Sequence, residues 1–340
     1  MCRRGIEMNT IDFVITWVDG NDSEWIKQKN EYNPDKSADT GNSRYRDMGL
    51  LRYWFRAVEK YAPWVNKVHF ITCGHLPEWL NTDCERLNIV KHSDYIPEKY
   101  LPTFNSHPIE LNMHRIEGLA EQFVYFNDDF ILNGPVTPEY YFKNGVPCDF
   151  LHAHNIYYGY TQNTYAHVQT NVANEISKKY SYFRSFMRHP FKFINVAYPL
   201  KQNIMNFLKL ENKNHFIGFY DSHLPIAYTK RHFEKIWEQY EEILDYTSGN
   251  KFRTPYDVSH NLMRYYRFAK GEFAPVSQAS RGKYFNLMLN AEEIPLAILD
   301  EKYKQICIND TTGDFDFEAV SQKIVAAYEQ KLPDKSMFEK

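Results

Sequence analysis

Two adjacent carboxylates, Asp128 and Asp129, directly follow the run Phe123-Val124-Tyr125-Phe126-Asn127. That run is aromatic and β-branched, so it reads as a buried strand with the carboxylates at its C-terminal end. Hard oxygen donors suit Mg²⁺ or Mn²⁺, cations that also grip substrate phosphates. In open α/β sheets ligands bind outside the carboxyl ends of the strands, where this pair would lie. Asn and Asp are also ordinary turn residues, so the pair taken alone fits a simple acidic turn better than a metal site. Upstream, Glu110 and His114 are four apart in a helical segment and would share a face. They could support a metal or form only a polar surface.

Positioning such a pair calls for a sheet, and the chain supplies its rhythm. Ile11 to Trp17 reads as a first strand, followed by the loop Val18-Asp19-Gly20-Asn21-Asp22, with Asp22 able to cap a helix from Ser23. Residues 31 to 43 are polar and aperiodic, a loop beside the first strand end. Apolar residues at helical spacing predict a helix from Arg44 to Tyr61, stopped by Pro63. Strands follow at Lys67 to Thr72 and Leu87 to His92, then a helix opening at Asn105-Ser106 with Pro108 in its first turn. Strand, helix, strand, strand, helix, strand is Rossmann-like: a mostly parallel α/β sheet flanked by helices. We divide the chain into an α/β part at 10–155, a mostly helical insertion at 156–215, and a part at 216–335 completing the same unit. Helices are expected near 233–244, 257–270 and 317–332.

The 340 residues carry a formal charge of -3, which gives no global nucleic-acid signature. With 26 Tyr and 24 Phe against 14 Gly, the composition is that of a packed globular protein. No apolar run reaches the roughly 18 residues of a membrane span, and the N-terminus lacks a signal-peptide pattern. Five cysteines without a Cys-x-x-Cys pair argue for free thiols and against a zinc site. A cytoplasmic protein is expected. The insertion is rich in Lys and Arg, which suits an anionic acceptor or peripheral contact with the inner membrane, and equally a solvated basic face.

Four blocks together resemble the Stealth family, the sugar-1-phosphate transferases of bacterial capsule synthesis. They are IDFVITWVDGNDSEW from Ile11; the long block from RYRDMGLLRYWFRAVEKYAPWVNKVHFIT at Arg44 through LPEWL and LPTFNSHPIELNMHRI to FVYFNDDF; Asp221-Ser222-His223-Leu224-Pro225 with Lys251-Phe252-Arg253; and Cys307-Ile308-Asn309-Asp310. Gly49 departs from the family pattern, which carries a polar or acidic residue there.

The resemblance implies a GT-A-like sheet and transfer of a sugar-1-phosphate from a UDP-sugar to a hydroxyl of a saccharide acceptor. The product is a phosphodiester and UMP leaves. Such a transfer is mainly a problem of positioning and charge neutralisation. It implies Asp128, Asp129 and Glu110 as the Mg²⁺ or Mn²⁺ site, and Asp129, His223, Arg253 and Asp310 as the catalytic set. Arg253 would hold phosphoryl oxygens, and His223 or an aspartate would accept the hydroxyl proton. Asp19, Gly20 and Asp22 would lie beside the nucleotide, with Arg44 and Arg46 on the diphosphate. Asn105 would touch sugar or phosphate, or cap its helix. Two other readings fit the same motifs: a metal-dependent glycosyltransferase, which would release UDP, and a non-catalytic carbohydrate-binding protein.

Overall fold

Side-chain alternation in the central strands sets the architecture. Phe13, Ile15, Val124 and Phe126 are buried in one apolar cluster, while Val14, Phe123 and Tyr125 are buried in another. Successive side chains of a strand point to opposite faces, so this sheet must be covered on both sides. The computed structural model describes residues 10–33, 45–156, 164–311 and 313–340.

Four parallel strands form the sheet's body: β1 (Ile11–Thr16), β2 (Val68–Thr72), β3 (Leu87–Lys91) and β4 (Gln122–Phe126), in the order β4-β1-β2-β3. The strand Ile226–Thr229 adds antiparallel to β4 at the edge. One face carries α2 (Leu51–Tyr61), whose Trp54 meets Phe126 edge-on at 5.4 Å. The other carries the helices Lys230–Gly249 and Asn261–Lys270. The result is the mixed α/β fold with a mostly parallel sheet that the strand rhythm predicts. Burying a ring such as Phe126 completely contributes about 2–3 kcal/mol, which holds the residues after it in place.

The chain runs from β1 outward through β2 to β3, then returns to β4 on the opposite side of β1. Connections diverge at such a reversal and leave a crevice at the carboxyl ends of the two strands. After β4 the backbone turns tightly, with Phe130 N donating to Asn127 O at 3.1 Å. It then enters β5 (Phe130–Leu132), which pairs antiparallel with the strand Gln305–Asn309.

Helices Thr164–Ser177, Tyr182–Arg188, Pro190–Phe193 and Leu200–Leu208 lie between the paired strands Ala153–His154 and Gly218–Phe219. Their inner residues Val172, Ile176, Tyr182 and Phe193 share the second core cluster with the sheet.

Three expectations need correction. The helix expected from Arg44 begins only at Leu51, because Gly49 adopts a positive φ of 73° and its N–H is taken by Asp47 Oδ1 at 2.7 Å. The helix expected at 257–270 starts at Asn261. Glu110 and His114 do not share a face: the helix from Ser106 ends at Leu111, and His114 stacks on Phe233.

Candidate active site

Two adjoining cavities open at the carboxyl ends of β1 and β4. The first has an aromatic wall of Trp17, Trp25, Tyr45 and Phe104, with Asp128 in its lining. The second is lined by Asp221, His223, Tyr165 and His260. Ser106, Glu110, Tyr125, Asn127 and Arg253 border both. Arg253 Nη2 donates to Ser106 Oγ at 2.7 Å, which fixes the guanidinium at the seam. Tyr125 hydroxyl bridges the same border, 2.5 Å from Asn127 Oδ1 and 3.3 Å from Glu110 Oε1.

Asp128 sits on the cavity floor, ringed by protein yet open to water. Its carboxyl is pushed up to about 7, first by the crowded surroundings and then by the charges of Asp129 and Asp47. As a hard oxygen donor in the cavity lining, Asp128 suits a hard cation, with the Glu110 carboxylate on the same lining. Asp129 turns the other way. Its Oδ2 lies 3.3 Å from Cys307 Sγ and 3.9 Å from His223 Nδ1, and its Oδ1 is buried without a hydrogen bond. Burial raises the Asp129 carboxyl, with His223 and the Cys307 thiol opposing the shift. Cys307 Sγ is also 3.3 Å from His223 Nδ1. The ligand atoms of Asp129, His223 and Cys307 all fall within 4.8 Å of one another, so the trio could hold a metal. The thiol makes it a softer donor set than the oxygens around Asp128.

His223 owes its place to local strain and to buried charge. It is one of the few non-glycine residues with positive φ, at 48°. Such a backbone persists only where the surroundings impose it. Asp221 Oδ1 accepts from His223 N at 3.0 Å, and Asp221 in turn is held by Asn261 Nδ2 at 3.1 Å and Arg264 at 3.8 Å. Burial would raise the Asp221 carboxyl, but Arg264, His223 and these hydrogen bonds hold it below its usual value. Arg264 is itself clamped on buried Asp149, which also pairs with Arg267. The ring of His223 meets Phe130 edge-on at 5.0 Å.

The structure brings Asp128, Asp129, His223 and Arg253 to one crevice and treats the other candidates differently. Asp310 grips Arg46 with two 2.8 Å hydrogen bonds, so both side chains are committed to each other outside the two cavity linings. Arg46 also lies over the Phe317 ring at 4.3 Å. Cys307 and Asp310 nevertheless reach this region together, because Ile308 N donates to Asp129 O at 2.9 Å. Glu110 does line the cavities, and the imidazole facing it is that of His260, with Nε2 3.8 Å from Glu110 Oε2.

The loop after β1 contributes differently from expectation. Thr16, Trp17 and Val18 line the first cavity, whereas Asp19, Gly20 and Asp22 have structural duties. Asp19 Oδ1 accepts from Asn21 N, and Asp22 caps α1 (Ser23–Tyr32) by accepting from Trp25 N. Gly20 packs against the Tyr45 backbone so closely that a Cβ would fall 2.0 Å from Tyr45 O. Asn105 caps its helix: it is fully buried, accepts from His107 N, and donates to Asp257. Arg44 lies outside the described residues.

Sequence reasoning left out Asp47, Cys307, Asp221, Tyr125 and His260. Asp221 and Cys307 stand inside quoted motifs and could have been singled out. His260 had no such signal, since only the packing of its helix carries it to Glu110.

An open, mostly parallel α/β sheet with a polar crevice at its strand reversal defines the class of protein. The Stealth conserved region 1 model matches residues 9–37 and the Stealth conserved region 2 model matches 44–149. The chain is 37% identical over 338 residues to "Capsular polysaccharide phosphotransferase WcwK" of Streptococcus pneumoniae, covering 98% of this chain and 99% of that protein. It is 36% identical to "Exopolysaccharide phosphotransferase cps2G" of Lactiplantibacillus plantarum, at 97% and 96% coverage. Against "Receptor polysaccharide phosphotransferase WefC" of Streptococcus gordonii identity is 37%, at 97% and 98% coverage. The chain therefore belongs to the Stealth family. Among solved structures, the galactosyltransferase LgtC with donor and acceptor sugar analogs aligns over 96% of this chain and 98% of that one, at 11% identity and a TM-score of 0.38.

Proposed function

We propose that this chain is a polysaccharide phosphotransferase that moves a sugar-1-phosphate from a UDP-sugar to a saccharide hydroxyl. The acceptor oxygen bonds to the phosphorus attached to the sugar, the bond from that phosphorus to the bridging oxygen breaks, and UMP leaves with the electron pair. The anomeric bond stays intact. The observation that carries the reading is Arg253 on the border of two adjoining cavities, one aromatic and acidic, the other containing His223. The full-length relatives, all named phosphotransferases, point the same way.

In this reading the donor's nucleotide occupies the aromatic cavity and the acceptor enters beside His223. Arg253, anchored by Ser106, holds two oxygens of the transferring group, which a planar guanidinium does better than an ammonium. His223 takes the hydroxyl proton. Its Nδ1 faces Asp129 and Cys307, which leaves Nε2 as the accepting nitrogen. Asp129 stabilises the imidazolium that forms. Asp310 acts through Arg46 and holds the strand that carries Cys307.

The hard oxygens of Asp128 and Glu110, which share the lining of the aromatic cavity, fit a divalent cation, Mg²⁺ or Mn²⁺. Asp128 and Glu110 would hold it. When bound, it supplies neutralising charge for the diphosphate. Among the described residues no helix is long and apolar enough to cross a membrane. Peripheral contact with the membrane completes this reading, since the insertion is strongly basic.

The deciding experiment incubates the protein with UDP-sugars and saccharide acceptors and identifies the nucleotide released. UMP with a phosphodiester product is expected. UDP would replace this reading with glycosyl transfer, and absence of any turnover across the panel would favour a binding protein.

A further inference from the structure

We propose that the face built by the helices Tyr182–Arg188, Pro190–Phe193 and Leu200–Leu208 is a docking surface for an anionic lipid bilayer. It deepens the membrane contact in the reading above by naming the surface that makes it. The helix Leu200–Leu208 is inside out. Leu200, Ile204, Phe207 and Leu208 fall at i, i+4, i+7 and i+8, the spacing of a core-facing stripe. Yet they are the exposed ones: Leu200 is 76% accessible and Phe207 57%. The polar residues point inward instead. Gln202 is 4% accessible and donates to Leu151 O, while Asn206 is 0% accessible and bonds Leu151 O, Phe193 O and Ala153 N.

The inward amides are hydrogen-bonded to backbone, so the inversion does not leave them buried without partners. The apolar stripe has no partner within the described residues. The neighbouring segments add to it: Met187 and Phe191 (82% accessible) on the two preceding helices, and Val196 in the turn before Leu200, are exposed as well. Single exposed apolar residues are ordinary, but a contiguous group of this kind marks an interaction site.

Charge selects the occupant. From Lys178 to Lys213 the chain has eight Lys and Arg and a single acidic residue, Glu211. Arg184, Arg188 and Lys201 are exposed among the apolar side chains. An apolar stripe rimmed by cations fits the interface of a bilayer with anionic headgroups, where each basic residue near the surface adds attraction. A second copy of this chain fits poorly, since its matching face would bring the same positive rim against this one.

The test is co-sedimentation of the full chain with vesicles of mixed phosphatidylcholine and phosphatidylglycerol, against pure phosphatidylcholine. Wild type should bind the anionic vesicles preferentially and be released by salt. The triple variant Ile204→Gln, Phe207→Gln, Leu208→Gln should lose on the order of a hundredfold in partition, given the buried methylenes removed. Its circular dichroism and its turnover with a soluble acceptor should be unchanged. The pair Arg188→Gln, Lys201→Gln should lose roughly tenfold on anionic vesicles only. Equal binding to both vesicle types, or none, overturns the proposal. So does a wild-type dimer that the triple variant dissociates, which would make the face a self-interface. Vesicle binding is read without donor, so its failure and the failure of the phosphotransfer chemistry are separable.

Discussion

Replacing Asp128 by Asn should stabilise the metal-free protein above neutral pH while abolishing turnover. The Asp128 carboxyl rises from its ordinary value to about 7 through crowding, Asp129 and Asp47. A folded state that holds a proton the unfolded chain has released loses stability as pH increases. The loss therefore runs from about pH 4 to about pH 7 and is complete above that. A shift of this size would amount to roughly 4 kcal/mol for a group sealed from solvent, at about 1.4 kcal/mol per unit. Asp128 is open to water, and screening brings the expectation down to about 1 kcal/mol. In a chain of this length that corresponds to a melting shift of about 1.4 °C. The assay is urea denaturation in EDTA between pH 5 and pH 8. Wild type should fall relative to Asp128→Asn across that interval, and added Mg²⁺ should recover wild type alone. Parallel pH profiles, or a variant less stable than wild type at pH 8, would refute the reasoning.

Arg253→Ala should lower turnover by about a hundredfold or more with the fold intact, and Arg253→Lys should recover little. Steady-state kinetics and circular dichroism check both. Asp149→Asn should destabilise by about 3–5 kcal/mol, since it leaves Arg264 and Arg267 buried and underpaired. Burial would raise the Asp149 carboxyl, but the two arginines hold it down at about 2, so its contribution is present above about pH 4 and disappears as pH falls through about 2. Acid denaturation of wild type and variant should converge there. Gly20→Ala should displace Tyr45 from the aromatic cavity, because a Cβ would fall 2.0 Å from Tyr45 O; weaker donor binding by calorimetry is the readout. EDTA in excess should abolish turnover, and Mg²⁺ or Mn²⁺ should restore it.

The sequence by itself determined the strands that carry the site, because period and burial agree in them. The apolar run before Asp128 could only be an interior strand, and the caps at Asp22 and Asn105 follow from side-chain chemistry acting over three residues. Local signals of that kind do not depend on the rest of the fold. Tertiary structure alone decided which carboxylates meet. Asp128 and Asp129 are neighbours in the chain but go different ways, one into the lining of the aromatic cavity, the other toward Cys307 and His223. That Asp310 pairs with Arg46 was likewise invisible in the sequence, because it depends on β5 pairing with the strand Gln305–Asn309. The inverted helix Leu200–Leu208 carries the same lesson. Its pattern specifies an amphipathic helix either way, and only the buried amides of Gln202 and Asn206 fix which side faces out. Side-chain periodicity reports what a segment can form, whereas the partners it meets are set by contacts far apart in the chain.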